Sequence, residues 1–350
     1  MRKELLLAIY LSAVCSGFAQ DGSTPAPGLP QDPHAILDAA KPYYNFDDPA
    51  LKPWHMKATY QLYNEQGKPY TQGTYEYWWA SPKVHRSTWS RSGAIESEWD
   101  TADGKYAFLI TGDGFNAFEH KLQDSFLVPL PGDSDLNASR YRLDCIEKIL
   151  GNVKLRCMMV IPKLDPVQTA SLGSYPTYCF DPNLPALLFR ASFESTSEVF
   201  GSIIQMQGHF LPENVQFYLG GNRILSAKVE LLEGISASDP IFIPDPQASF
   251  PSLKKVSISA GNAVGMLKKK VVPEYPPEAR AAHISGTVVL EVRIGRDGRV
   301  HDLSVISSPS TSLATSAQWA VSQWQYRPYV LNGIPIEVWT TINVVFALGQ

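Results

Sequence analysis

Residues able to do chemistry are sparse in this chain, and their spacing argues against catalysis. Seven histidines stand at positions 34, 55, 85, 120, 209, 283 and 301. None falls in an HExxH or HxH pattern, the spacings that bring two imidazoles to one ion from a single element, so no metal ligand is assigned. No GxSxG elbow, phosphate-cradling glycine loop or GxGxxG fingerprint occurs. Acidic pairs such as Asp47-Asp48 lie in polar stretches, where a carboxylate stays solvated or caps a turn. The stretch 103–114 (DGKYAFLITGDG) lacks acids at every second position, so it reads as a hairpin with Asp-Gly turns rather than a calcium loop. The expectation is a chain with no catalytic residue, no cofactor and no metal.

Cysteines carry the remaining chemistry. Arg2 and Lys3 precede an apolar run from Leu5 to Val14, and Gly17-Phe18-Ala19 supplies small residues for a cut after Ala19. Residues 1–19 therefore read as a secretory signal, too short in apolar length to span a bilayer, and a periplasmic location follows. Two alternatives stand beside it: an uncleaved anchor, and lipidation of Cys15, for which Val14 is a poor preceding residue. After the cut, Cys145, Cys157 and Cys179 are the disulfide candidates in an oxidising compartment. Cys145 and Cys157 flank Gly151-Asn152, a good hairpin turn, and so could face each other across two strands. Cys157–Cys179 is the rival pairing, and the odd thiol is expected to be buried and inert. A net charge of −4 offers no field for nucleic acid.

These groups sit on a chain long enough for two domains. Residues 20–34 form a Pro-rich lead-in, and a short helix is expected over His34–Ala40. Residues 35–238 read as a β-rich periplasmic domain. Met56, Ala58, Tyr60 and Leu62 alternate with polar neighbours, and Tyr75, Tyr77 and Trp79 share a face. Further strands fall at 84–89, 95–99, 106–110, 199–210, 215–219 and 224–232, separated by Ser-Pro, Ser-Gly, Asp-Gly and Gly-Gly-Asn turns. Residues 239–253 (DPIFIPDPQASFPSL) form a Pro-rich linker, and strands are expected over 254–259 and 264–267.

From Val271 all the local signals agree. Pro276-Pro277-Glu278 opens a short helix and Gly286 ends it. Val288, Leu290, Val292 and Ile294 face one way in a strand that reverses at Asp297-Gly298. Ser310–Ser312 caps a helix in which Leu313, Ala317, Ala320 and Trp324 recur at helical spacing. One long strand closes the unit, with Ile336, Val338, Thr340, Ile342, Val344 and Phe346 on one face. The fold class is α+β: an N-terminal mainly antiparallel β domain with a small C-terminal α+β domain at 254–350.

Tyr275-Pro276, Gly286, Asp297-Gly298, Trp324-x-Tyr326-x-Pro328 and the closing INVVF resemble the C-terminal domain of the TonB family. That resemblance implies binding rather than catalysis: the domain grips a TonB-box segment of an outer-membrane transporter by strand addition to an exposed sheet edge. It places the edge on Val338, Thr340, Ile342, Val344 and Phe346, with Val272, Glu274, Tyr275 and Pro276 beside it. A proline at Ile342 or Val344 is then expected to remove an edge N–H. A second copy of the chain would cover the same edge in a homodimer. Where many family members carry glutamine before Tyr-Pro, this chain has Val272 and Glu274, so side-chain choice does not carry over. The strand Gly73–Pro82 (GTYEYWWASP) and the run of hairpins around it resemble the half-barrel of LolA/LolB-type periplasmic lipoprotein carriers, which implies a concave face able to take an acyl chain. The plainer alternative is that its aromatics fill a sheet core. Two functions follow: energy-coupled transport across the outer membrane, or a non-transducing adaptor or lipid carrier that the TonB-like domain docks to a partner.

Overall fold

Alternation of apolar and polar residues builds most of this protein, as a computed structural model shows. It describes residues 28–132, 136, 138, 141–163, 175–191, 195–250, 256–331 and 333–348. The expected signal, Cys15 and part of the lead-in lie outside these residues. Helix α1 (Pro33–Ala40) is followed by strands β1 (Trp54–Tyr63), β2 (Pro69–Ser81), β3 (Val84–Arg91), β4 (Ala94–Asp100) and β5 (Tyr106–Thr111). Helix α2 (Ala117–Leu127) leads to β6 (Tyr141–Leu150), β7 (Val153–Pro162), β8 (Thr177–Phe180), β9 (Leu187–Ala191), β10 (Thr196–Met206), β11 (His209–Leu219) and β12 (Asn222–Gly234). The last quarter holds β13 (Val256–Ser257), α3 (Ala260–Met266), β14 (Leu267–Lys269), α4 (Pro277–Ala281), β15 (Gly286–Ile294) and β16 (Val300–Ser307). It ends with α5 (Thr311–Val321), β17 (Gln325–Tyr326), β18 (Tyr329–Leu331), β19 (Ile334–Ile336) and β20 (Val338–Phe346). The protein is thus mainly antiparallel β, with a small α+β C-terminal unit.

The chain forms two compact units that do not follow its linear order. One combines the residues up to Phe46 with Phe126–Gln216, and the other combines Asp47–Ser125 with Phe217–Gln350.

In the first unit, β6 to β10 pair in sequence order and α1 lays Leu37 against Met158 and Val160. The hairpin β6–β7 turns at Gly151-Asn152 as expected, but Cys145 faces Met158 and Cys157 faces Ile146. A two-residue loop fixes the register one residue away from the Cys145–Cys157 pairing. Cys157 instead lies opposite Cys179 on β8 and bonds to it. Cys145 keeps a half-buried free thiol, where a buried one was expected. The expected strands 84–89, 95–99, 106–110 and 224–232 extend by a few residues, whereas 199–210 is broken by a turn at Gln207-Gly208, so Phe210 belongs to β11.

In the second unit the strand order is β5-β4-β3-β2-β1-β12, each pair antiparallel. Met56, Ala58, Tyr60 and Leu62 are buried beside Tyr75, Tyr77, Trp79 and Trp89. Ring centroids of Tyr75 and Trp89 lie 5.1 Å apart, and those of Trp54 and Tyr77 5.4 Å. These aromatics pack on one another as a core. The Pro-rich stretch after β12 is anchored rather than free. Trp99 Nε1 donates to the Ile241 carbonyl, and Ser249 bridges to Phe108 on the outer edge of β5.

The C-terminal sheet has the order β13-β20-β15-β16, with α5 packed across it. Ser310 caps α5 by accepting from the Leu313 N–H. Leu313, Ala317 and Val321 then meet Val288, Leu290, Val292 and Ile294, and Trp324 joins the same core. Each such aliphatic burial contributes about 1.5–3 kcal/mol. Two local expectations fail here. Val264 lies in helix α3, because Ser259 accepts from Asn262 N–H and starts a turn that Ala260–Met266 continues. The closing strand is broken at Glu337, whose carboxylate turns to Arg293 and Arg296, so Ile336 belongs to the short hairpin β18–β19.

The Cys157–Cys179 bond closes a loop with a sequence separation of 22. Replacing both cysteines by serine is expected to lower the unfolding free energy by about 3 kcal/mol, read from urea denaturation. Cys145→Ser should stay within about 0.5 kcal/mol.

Candidate functional site

Strand β20 has one paired side and one mostly open side. Along its whole length it pairs with β15, from Val338↔Ile294 to Phe346↔Gly286. On the other side β13 reaches only Val338 and Trp339, and the Ile258 N–H donates to the Trp339 carbonyl. Backbone groups of successive residues in a strand point to opposite sides. Trp339 faces β13, so Thr341, Asn343 and Val345 direct their N–H and C=O the same way. Among the described residues no strand pairs with them there. Their side chains are exposed, while Thr340, Ile342, Val344 and Phe346 are buried.

The segment before α4 is strapped down by side chains that donate to its carbonyls. Trp324 Nε1 holds the Val271 carbonyl at 2.8 Å, and the Ser316 hydroxyl holds that of Glu274. Tyr275 donates its hydroxyl to the Ile284 carbonyl at 2.6 Å and sets its ring edge-on to Phe346. The segment therefore lies along α5, and Tyr275 alone reaches the end of β20. Val272 is 78% exposed, and Glu274 is exposed too. Pro276 precedes α4 as its N-cap.

At the opposite edge of the same sheet, the β15–β16 turn is buried. Gly298 adopts φ +78°, and a Cβ there would stand 2.1 Å from the Tyr326 carbonyl oxygen, so only glycine closes this turn. The turn projects Arg296 between the rings of Tyr106 and Phe108, 4.6 and 4.8 Å from their centroids. Arg296 donates to the Tyr106 hydroxyl at 3.0 Å and to Glu337 at 3.3 Å, with Glu98 at 3.9 Å. Burial alone would lower the Glu337 carboxylate's affinity for its charge, but Arg293 and Arg296 outweigh this and hold its pKa below the usual range. Asp297 approaches so near Gly114 that a side chain there would collide with it. Lys121 and Asp302, 3.5 Å apart, and the stacked rings of Phe118 and Trp319 complete the contact.

Helix α2 delivers the rest of this buried face. Asn116 accepts from the Phe118 and Glu119 N–H groups, and Glu119 accepts from the Asn116 N–H, a reciprocal capping box. Glu119 also takes a 2.8 Å bond from the Tyr60 hydroxyl and lies 3.3 Å from Arg91. The fixed helix start sets His120 between Trp89 and His301, its ring stacked on His301 with centroids 3.8 Å apart. Glu96 on β4 lies 3.6 Å from His120 Nε2, and Asp297 lies 2.9 Å from His301 Nε2. Burial raises the Glu96 pKa and drives that of His120 well down. Burial opposes charge on His301 as well, but Asp297 and Glu96 prevail and raise its pKa.

Residues 271–348 match the family described as Gram-negative bacterial TonB protein C-terminal. These residues form a TonB C-terminal domain. A curated relative, Protein TonB of Vibrio cholerae serotype O1, is 30% identical over 110 residues, covering 30% of this chain and 45% of that protein. The chain thus spans under half the length of that relative. Among solved structures, a putative outer membrane lipoprotein-sorting protein domain from Vibrio parahaemolyticus covers 61% of this chain and 97% of its own, with 9% identity and TM-score 0.37. A LolA superfamily protein from Nitrosomonas europaea covers 63% and 99%, with 8% identity and TM-score 0.32. A DUF1329 family protein from Desulfovibrio piger covers 63% and 98%, with 13% identity and TM-score 0.37. Overlap of this degree bears on neither ligand nor partner. No described helix is long and apolar enough to cross a membrane.

One correction to the expected site follows. Val338, Thr340, Ile342, Val344 and Phe346 point their side chains into the core and their backbone groups at β15. The edge belongs to the alternate residues, so a proline at Ile342 or Val344 would break the sheet's own ladder instead. Glu96, His120 and His301, which no sequence spacing relates, come together from β4, α2 and β16. Spacing rules detect ligands within one element, and no such rule spans three.

Arg296→Met keeps the aliphatic stem but removes the cation from beside Glu98 and leaves Glu337 with Arg293 alone. It should cost about 3–5 kcal/mol in urea unfolding, the range for breaking one side of a buried pair. Lys228→Met, at an exposed position, should change stability by less than about 0.5 kcal/mol.

Proposed function

We propose that this chain is a periplasmic envelope protein that captures a partner by strand addition to β20, in TonB-type transport across the outer membrane. The observation that carries the reading is the run Thr341, Asn343, Val345, whose backbone groups face away from β15 with no strand of the described residues opposite them. An incoming extended segment would gain main-chain hydrogen bonds there, and its alternate side chains would meet the exposed faces of Thr341, Asn343 and Val345. Tyr275 and Phe346 would border the far end, and Trp339 under β13 the near end. The partner is an outer-membrane transporter carrying a TonB-box-like segment. β13 already covers two residues of β20, which limits the segment to the stretch beyond Trp339.

Proline at an edge position removes an N–H and presents its ring to the incoming strand. Thr341→Pro and Asn343→Pro should each weaken binding of a fluorescent TonB-box peptide at least about tenfold, given about 1 kcal/mol per main-chain bond plus the clash. Thr341→Val and Asn343→Ser keep the backbone donor and should bind within about threefold. Equal affinity for proline and non-proline variants, measured by anisotropy on protein with native circular dichroism, rules out strand addition at this edge.

A further inference from the structure

Outside the open edge, one cluster of side chains has more donor atoms than partners. Glu96, His120 and His301 are 2%, 7% and 4% exposed, and one ligand atom from each falls within 4.8 Å of the others. Glu96 Oε2, His120 Nε2 and His301 Nδ1 lack a hydrogen-bond partner despite burial, while His301 Nε2 has the Asp297 carboxylate beside it. The 3.6 Å between His120 Nε2 and Glu96 Oε2 is too long for a hydrogen bond. Leaving such a group unpaired in the interior is destabilising, because its lost hydration is not replaced. Three orphaned atoms in one small volume are therefore a liability that a single shared partner would remove.

Their separation fits a shared ion. Two ligands of a tetrahedral zinc, each about 2.0–2.1 Å from the metal, stand about 3.3 Å apart. The His120–Glu96 spacing is close to that value, and small side-chain rotations bring His301 in. Two imidazoles with one carboxylate form a donor set suited to zinc among the divalent cations, and a poor one for magnesium or calcium, which take oxygen ligands. Asp297 completes the arrangement from behind. Its carboxylate lies 2.9 Å from His301 Nε2, which orients the ring and leaves Nδ1 for the ion, as carboxylates do behind metal-bound histidines.

We propose that Glu96, His120 and His301 form a zinc site that clasps the TonB C-terminal domain onto the β3–β5 face, with Asp297 as positioning residue. The ligands come from both partners of that contact: Glu96 from β4 and His120 from α2 on one side, His301 from β16 on the other. Zinc binding would therefore fix the domain's β16 edge while β20 stays free.

The test uses the full chain, stripped with a chelator and titrated with Zn2+ by calorimetry. One Zn2+ per chain is expected. His120→Asn and His301→Asn should each weaken binding at least about a hundredfold, and Asp297→Asn about ten- to a hundredfold. His283→Asn, at an exposed position, should leave it unchanged. Because the ligand variants could unfold, unaltered chain loaded with Zn2+ is also read by X-ray absorption for two imidazoles, and by hydrogen exchange for joint slowing in α2 and β16. No Zn2+ binding by the unaltered chain, binding equal in natively folded His301→Asn, or slowing confined to other segments overturns the proposal.

Discussion

The buried Arg296 is the interaction on which the arrangement of the second unit depends. A guanidinium enclosed by protein is tolerated only with charge partners close by. Arg296 finds them on both sides of one contact: Glu337 within its own domain, and Glu98 and Tyr106 on β4 and β5. It is too short-tethered, at the tip of a tight Gly298 turn, to find them elsewhere. The hairpin tip therefore has one low-energy seat. Gly114, the α2 capping box and the Phe118–Trp319 stack all shape that seat rather than add separate attachments.

Sheet order turns this attachment into a functional asymmetry. In β13-β20-β15-β16, the docked hairpin occupies one edge and the open strand the other, with β15 hydrogen-bonded to both β16 and β20. A partner strand added at Thr341–Val345 would meet neither Arg296 nor the histidine cluster. Load applied at β20 would instead pass through the β15 ladder to the hairpin tip. The cost of detaching the tip includes leaving Glu98 without its cation, so the same contact that positions the domain also resists its removal. The N-terminal sheet then acts as a mount for the binding edge.

Local rules made the C-terminal domain legible in the sequence. The Ser310 cap, the Asp297-Gly298 reversal and the alternation in β15 each act over a few residues, and each appears where expected. Errors arose where geometry depends on a single residue of phase. The two-residue turn at Gly151-Asn152 shifts Cys145 away from Cys157, and the face assigned to β20 named the side chains that fill the core instead of the residues whose backbone groups face away from β15. Val264 had strand-like neighbours, but Ser259 supplied a helix cap that its β-branched character did not outweigh.

The docking cluster was illegible for a different reason. Each of its members is ordinary in its own segment: Glu96 sits in an alternating strand, His120 follows a capping box, and His301 enters a strand just past a turn. Only the fold makes them neighbours. Yet each carries a local sign of strain that is now interpretable. Glu96 and His120 are polar groups buried within their elements, and His301 is buried beside a register shift between β15 and β16. Inward-facing polar residues weaken a core unless something meets them there. Three such residues on three elements, all aimed at one point, are better explained by a shared partner at that point than by three independent defects. That convergence ties the two halves of the second unit together chemically as well as sterically.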